Sequence, residues 1–325
     1  MDDLFNRHGQ HTQLQRYYAV FGNPVLHSKS PQLYNSLFSF HEINAFYTRI
    51  HGESGRAVCE IIRMLGLSGA NITTPFKEDV IPWLDSLSPD AEKVGAVNTI
   101  ISKEGRLFGF NTDTRGITGS LGEAGIDPAG KKCMVMGAGG AGKAAAQGLI
   151  NAGADVLISN RTAGKAVDFA EKAGCSFAPL DEAVNMLRYF DVLVLTLPPG
   201  ILPFDKKDIH DDLIVIDANY RSPKESTTGK ELSGRVIKGD RWLLHQAVEA
   251  YQLFTGRDAD TTIMEKGLKE VIVSHNLKII TFKGEDQDSR YVLCADMLVD
   301  GRGMSDEQIN KIIDEEKIKA FGDKG

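Results

Sequence analysis

The alternation of apolar and polar residues changes period several times along the chain, and each change marks an element. Residues 17–21 form an apolar run closed by Gly22-Asn23-Pro24, which predicts a first strand. Residues 31–40 predict a helix that opens on proline, where a missing N–H costs little. An extended stretch at 45–50, a helix at 55–65 and a strand at 69–73 follow, the strand running into Pro75 and a further helix. Strands at 97–101 and 107–110 flank a turn at Gly105. Strands alternating with helices predict a mostly parallel sheet.

The texture changes near Asp113. A helix at 114–125 and a turn at 127–130 lead into strand 132–137, helix 140–152, strand 154–158, helix 163–173 and strands 191–197 and 213–217. This run of βαβ units predicts a doubly wound sheet. Residues 243–256 return to a helical period, with apolar positions 243, 244, 247, 248, 251 and 254 on one face. The final stretch predicts strands at 277–282 and 291–299 and a helix at 305–321, opened by Ser305 and Gln308 at capping-box spacing. This ββα segment, 267–325, reads as an extension of unknown role, with packing against the second α/β region as its plainest use. Residues 1–16 read as a polar tail.

Bulk properties narrow the classes. A chain of 325 residues is expected to hold about two domains. A net charge of −7 argues against a nucleic-acid partner, which needs clustered Lys and Arg, but leaves room for a small anionic ligand in a locally positive pocket. The four cysteines are far apart and form no CxxC pair, so neither a metal site nor a disulfide framework is expected. Reduced thiols, a polar start and the lack of a long apolar run predict a cytoplasmic protein with no membrane partner.

The sharpest local signal is Gly137-Ala138-Gly139-Gly140-Ala141-Gly142. It fits G-x-G-x-x-G, follows an apolar strand and opens an alanine-rich helix, the context in which the motif binds a dinucleotide. The glycines permit a tight turn, close approach of a pyrophosphate and close helix–strand packing, while free N–H groups at the helix start face the phosphates. A purely structural turn is the alternative. At the end of the next strand, NAD-binding chains place a carboxylate for the ribose 2′-hydroxyl. This chain has Asn160-Arg161-Thr162, with Lys165 one turn on. A carboxylate would repel a 2′-phosphate and a guanidinium matches it, so NADP(H) is the expected cofactor. Solvated surface cations are the bland alternative.

Three polar clusters precede this region: Ser28 and Ser30 beside a helix start, Thr73 to Lys77 after a strand, and Asn111-Thr112-Asp113 after another. Singly, they read as helix caps and an exposed lysine. Together they sit where strands finish, and the carboxyl ends of strands form the ligand crevice of an open α/β sheet. Hydroxyls, amides, an ammonium and a carboxylate suit a small polyhydroxylated acid. Asp113 would favour charged Lys77 and burial would oppose it, so Lys77 is a candidate for proton transfer.

The stretches GNPVLHSKSP, GANITTPFKE, GAVNTI, GFNTD, GAGGAGKA, SNRT, DANYRSP and LLHQAVEAYQLFTG stand in the order found in the shikimate dehydrogenase family, and the chain resembles that family over about residues 17–260. The resemblance implies an NADPH-dependent oxidoreductase that reduces 3-dehydroshikimate to shikimate in chorismate and aromatic amino acid biosynthesis. It implies a two-domain α/β protein, with 17–113 plus 240–266 as substrate-binding and catalytic domain and 114–239 as NADP-binding Rossmann domain. It assigns Lys77 and Asp113 to catalysis and Ser28, Ser30, Thr73, Asn98, Tyr220 and Gln246 to substrate. Cofactor contacts are carried over to Gly137, Ala138, Gly139, Gly140, Ala141, Asn160, Arg161, Thr162, Lys165, Thr196 and Gly239.

Arg241-Trp242 stand where the family has Gly-Met near the nicotinamide, and Thr196-Leu197-Pro198-Pro199-Gly200 where it tends to have Asn-x-Thr-Pro. Two other readings remain at this point. One is a quinate or dual quinate/shikimate dehydrogenase, whose members often use NAD and alter the serine pair. The other is a ligand sensor without catalysis, which could dispense with Lys77 and Asp113. A monomer and a homodimer are both open.

Overall fold

The computed structural model describes residues 15–198, 201–219, 235–269, 279–283, 290–294, 297–300 and 305–321. The first half runs β1 (Arg16–Gly22), α1 (Ser30–Phe40), β2 (Ala45–His51), α2 (Gly55–Met64), β3 (Gly69–Ile72), β4 (Ser86–Leu87), α3 (Pro89–Val94), β5 (Thr99–Lys103) and β6 (Arg106–Phe110). The central part runs α4 (Asp113–Glu123), β7 (Lys132–Met136), α5 (Gly140–Asn151), β8 (Asp155–Asn160), α6 (Gly164–Ala173), β9 (Ser176–Pro179), α7 (Leu180–Met186), β10 (Val192–Leu195), β11 (Ile214–Asp217) and β12 (Arg235–Lys238). Then come α8 (Gly239–Thr255), α9 (Thr261–Lys269), β13 (Ile279–Lys283), β14 (Arg290–Cys294), β15 (Met297–Asp300) and α10 (Asp306–Phe321).

The strands form two sheets. One has the order β12-β11-β10-β7-β8-β9, with every pairing parallel. Its strand order reverses between β7 and β10, where a Rossmann-type sheet binds its ligand. Both faces are covered: Cys133, Val135, Val192 and Val194 pack on one side, Met134, Met136, Leu193 and Leu195 on the other. This double burial is why the strands read as unbroken apolar runs.

The other sheet has the order β13-β14-β15-β2-β1-β3-β5-β6-β4. It is mixed, with β3-β5-β6 and β13-β14-β15 antiparallel. Alternation along β1 serves two cores: Tyr18 and Val20 face α1 and α8, while Ala19 and Phe21 face the α2 side. The sequence places one strand at 291–299; the chain instead makes two strands that pair antiparallel, Cys294 opposite Met297. The described strands of the C-terminal segment extend this sheet and not the cofactor-type one. β15 pairs in parallel with β2, and Val299, Ile309 and Ile313 join the core beneath α1 and α8. The helix expected after Pro75 is also absent; turns lead to a 3₁₀ turn at Ile81–Trp83, because Pro82 removes a second N–H within seven residues.

Two helices tie the sheets together. α4 leaves the first sheet and α8 returns to it, and they cross closely because α4 offers glycines. A Cβ on Gly116 would lie 2.3 Å from Trp242, and one on Gly119 would lie 2.7 Å from His245.

Candidate active site

Between the two sheets lies a cavity of about 170 Å³. Ser28, Ser30, Thr73, Lys77, Asn98, Asp113 and Gln246 all line it, and Ala141 and Gly239 close it from the glycine-turn side. Tyr220 lies outside the described residues.

Each polar group is held by its neighbours. The Ser28 hydroxyl lies 3.2 Å from that of Ser30 and accepts the Ser30 N–H. Buried Arg49 on β2 donates to the Ser28 carbonyl through Nε at 2.8 Å and through a second guanidinium nitrogen. Asn98 donates to Gln246 at 2.8 Å and to the Thr112 hydroxyl at 3.0 Å, and accepts the Thr112 N–H and the Thr99 hydroxyl. Its amide therefore has one orientation, and through it α8 is fastened to the end of β6.

Asp113 does not cap α4; it is the first residue of that helix and its carboxylate is used elsewhere. Lys77 Nζ donates to Asp113 Oδ2 at 2.5 Å, with both side chains largely buried. The Lys77 carbonyl accepts the Val97 N–H at 2.7 Å and the Asp113 carbonyl accepts the Trp242 indole N–H at 3.0 Å, so both backbones are fixed. A Cβ on Gly140 would sit 3.3 Å from Lys77 Cβ and Cδ. The start of α5 thus abuts the ammonium-bearing side chain.

The glycine turn has the form a dinucleotide needs. Gly137 has φ +111°, a value that L side chains rarely adopt. A Cβ on Gly142 would lie 1.9 Å from the Gly137 carbonyl oxygen, whereas one on Gly139 would meet nothing within 4 Å. Gly142 therefore allows the turn to close, and Gly139 leaves the space outside it open to a pyrophosphate. Ala138 is buried, and the Thr196 hydroxyl donates to the Met136 carbonyl at 3.0 Å, joining β10 to the turn. Asn160 donates to the Thr162 carbonyl, and Arg161, just past β8, and Lys165, in the first turn of α6, are exposed.

Three family profiles match the chain. "Shikimate dehydrogenase substrate binding domain" covers residues 20–100, "Shikimate / quinate 5-dehydrogenase" covers 122–199, and "Shikimate 5'-dehydrogenase C-terminal domain" covers 243–269. The shikimate dehydrogenase (NADP(+)) of Pyrococcus abyssi is 36% identical over 259 residues, spanning 77% of this chain and 96% of that protein. The chain belongs to the shikimate dehydrogenase family. The crystal structure of shikimate dehydrogenase from Aquifex aeolicus superposes with a TM-score of 0.72 at 32% identity, covering 79% of this chain and 98% of the other. The Thermus thermophilus shikimate 5-dehydrogenase, solved with NADP(H) and shikimate, gives 0.70 at 31%, covering 78% and 99%.

At two of the positions where the chain departs from the shikimate dehydrogenase pattern, Arg241 and Trp242, the structure gives each side chain a place; Pro199 and Gly200 lie outside the described residues. Arg241 turns from the cavity to grip Glu123 in a two-pronged ion pair, with Glu265 at 2.8 Å. Trp242 lines the cavity. The sequence reading also passed over Glu78, next to Lys77. Its carboxylate reaches across to the other sheet's helices, 2.7 Å from both Lys143 on α5 and Lys165 on α6. Lys165, expected at a phosphate, is thus paired with a carboxylate here. Burial would raise the Glu78 pKa, but the hydrogen bonds and charges of the two lysines outweigh it and hold it below the usual glutamate value. A depressed pKa stabilises the fold above the unfolded value of about 4.5 and ceases to do so as pH falls through the folded one. Wild-type protein is expected to melt above Glu78→Gln at pH 7, with the gap narrowing as pH falls below the unfolded value of about 4.5; a gap that stays constant across the acid range would contradict this.

The last feature is outside the family profiles, which end at residue 269. Glu316, 2% exposed on α10, accepts the backbone N–H groups of Val25 at 2.8 Å and Leu26 at 2.9 Å, and meets His51 Nδ1 at 2.9 Å. Burial opposes its charge, yet His51 and the two amides hold its pKa below the usual value. The signal for it was present in the sequence: Glu316 continues the stripe of Ile309 and Ile313, where the helical period calls for an apolar residue.

Proposed function

We infer that this chain interconverts 3-dehydroshikimate and shikimate with NADP(H) as cofactor. The observation that carries the reading is the Lys77–Asp113 pair. It faces a cavity lined by Ser28 and Ser30 on one side and abuts the glycine-turn helix on the other. The relatives named above, shikimate dehydrogenases of the NADP(+) type, support the same activity.

The cofactor fits the residues present: the N–H groups at the start of α5 would hold its pyrophosphate, and Arg161 its 2′-phosphate, with Lys165 joining it on exchanging Glu78 for the phosphate. When bound, its nicotinamide supplies the hydride to the substrate carbonyl, or accepts it in reverse. Lys77 holds a proton on Nζ beside the oxygen that gains negative charge, and delivers it or offsets the charge. Asp113 orients that ammonium and accepts a substrate hydroxyl. Ser28, Ser30, Thr73 and Gln246 would donate to the carboxylate and remaining hydroxyls; Asn98, whose two amide hydrogens go to Gln246 and Thr112, would serve the substrate by orienting Gln246, and Tyr220 is expected to join this set. Gly239, Ala138 and Thr196 would contribute to the cofactor site.

We assign 17–113 and 240–266 to substrate binding and 114–239 to the cofactor, with the 267–325 segment serving the first of these. The separated thiols support a reducing, cytoplasmic setting.

The absorbance of reduced nicotinamide tests the reading directly. Shikimate with NADP⁺ should give turnover far above quinate with NAD⁺; the reverse order would make the chain a quinate dehydrogenase, and no turnover of either would leave a ligand sensor. Arg161→Ala should weaken NADPH by roughly tenfold or more and leave NADH unchanged, since a hydrogen bond to a charged group contributes about 1.5–3 kcal/mol. An unaltered NADPH-to-NADH ratio would refute the role of Arg161.

A further inference from the structure

We propose that Glu316, in the C-terminal segment beyond the family profiles, is a positioning residue that sets the turn carrying the substrate-facing serines. The turn at 23–28 leaves β1 and reaches the cavity at Ser28. It has no regular hydrogen-bond ladder of its own, so its geometry depends on what grips it. Beyond the Asn23 N–H, which donates to the Thr74 carbonyl at 3.0 Å where the turn begins, three grips bear on its Val25–Ser28 part. Ser28 N–H donates to the Val25 carbonyl at 2.9 Å, closing the turn. Arg49 holds the Ser28 carbonyl from the side of β2. Glu316 holds the Val25 and Leu26 N–H groups, with both of its oxygens within 2.8 Å of the Val25 nitrogen.

The third grip is the one that the family core does not provide. Val25 and Leu26 are 0% and 1% exposed, so their N–H groups have little access to water, and an unanswered buried donor is costly. A carboxylate answers two of them at once with charge-assisted bonds, which are short and directional. The carboxylate is itself held in place. His51 Nδ1 lies 2.9 Å from one oxygen, and His51 Nε2 lies 3.1 Å from Glu53. His51 and Arg49 are alternate residues of β2, and β2 pairs with β15 at both positions, Arg49 opposite Met297 and His51 opposite Val299. One strand thus carries Arg49, which grips the turn, and His51, which braces Glu316, and it receives the segment that brings Glu316. The helix is seated by Ile309 and Ile313 in the core, two turns and one turn before Glu316 on the same face.

This inference rests on the shikimate reading for its kinetic consequence, though not for its structural one. The test uses the full chain with Glu316→Ala and Glu316→Gln, following hydrogen exchange in the 23–30 peptide and steady-state kinetics with shikimate and NADP⁺. Glu316→Ala should speed exchange at Val25 and Leu26 and raise the KM for shikimate by about tenfold, the scale of lost bonds to a charged group. The KM for NADP⁺ should stay within about twofold, because Val25 and Leu26 pack in a different core from the one that holds the glycine motif. Glu316→Gln keeps one acceptor and should recover part of both effects. If Glu316→Ala is insoluble, Glu316→Gln carries the test with the same readouts at smaller amplitude. Unchanged exchange in the peptide with unchanged KM for shikimate would overturn the proposal. So would parallel loss in both KM values with faster exchange across the whole sheet, which marks general support rather than positioning. If wild-type protein does not turn over shikimate, the functional reading fails by itself, and exchange at Val25 and Leu26 still decides the role of Glu316.

Discussion

Replacing Lys77 with alanine is expected to lower kcat by about 10²–10³-fold while moving the KM for shikimate only a few-fold. The magnitude is that of removing one group that meets developing charge on oxygen, about 3–4 kcal/mol, in a site shielded from water. Three observations set it apart from an ordinary surface lysine. Its Nζ is 2.5 Å from Asp113 in a largely buried pair, it lines the cavity, and its aliphatic stem touches the start of α5. An interaction made only as charge develops reduces kcat and kcat/KM together, whereas one made equally with bound substrate raises KM alone. Measuring both constants for Lys77→Ala therefore decides the matter. A loss confined to KM would make Lys77 a binding residue and not the group that transfers the proton.

Gly142→Ala is expected to abolish NADPH binding and to lower the melting temperature by about 6–12 °C. The added Cβ would lie 1.9 Å from the Gly137 carbonyl oxygen, 2.7 Å from its carbon and 2.8 Å from the Thr196 hydroxyl. Two of these contacts are backbone, and Gly137 is already at φ +111°, so the turn has to open rather than adjust. Overpacking of this severity costs about 3 kcal/mol or more, and a domain of this size loses about 2–4 °C per kcal/mol. Gly139→Ala provides the contrast. Its Cβ would meet nothing within 4 Å, so the melting temperature should hold while NADPH binding weakens, because the methyl group projects into the space reserved for phosphate. Equal melting temperatures for Gly142→Ala and wild type would show that the turn is looser than its geometry.

The Rossmann-type sheet was legible because its strands are covered on both faces and punctuated by glycine turns. β7, β8, β10 and β11 were all found within about two residues. β9 was missed because Ser176–Pro179 is a short edge strand with one buried residue, and strand patterns fade at edges. The C-terminal hairpin was read as one strand since 291–299 contains no glycine or proline to mark a reversal. The cavity residues were legible as a set because each closes a strand. Their connections were not. That Asn98 fixes Gln246 across 148 positions, or that Glu78 joins two lysines of the other sheet, depends on tertiary proximity that no local pattern encodes. Glu316 falls between these cases: its period betrayed burial, but the partners that justify a buried carboxylate lie some 290 residues away.

That distance has a consequence for how the protein comes into being. A chain emerging from the ribosome folds in order, and contacts between remote positions wait for the later partner. β1, β2 and β3 can pair early, yet the outer edge of β2 and the amides of Val25 and Leu26 receive their partners only when residues 297–316 have been made. Until then β2 is an open edge, the kind of surface on which unfinished chains stick to one another. Completion of the last helix is therefore a late checkpoint in biogenesis, at which the sheet is sealed and the serine turn set in the same step.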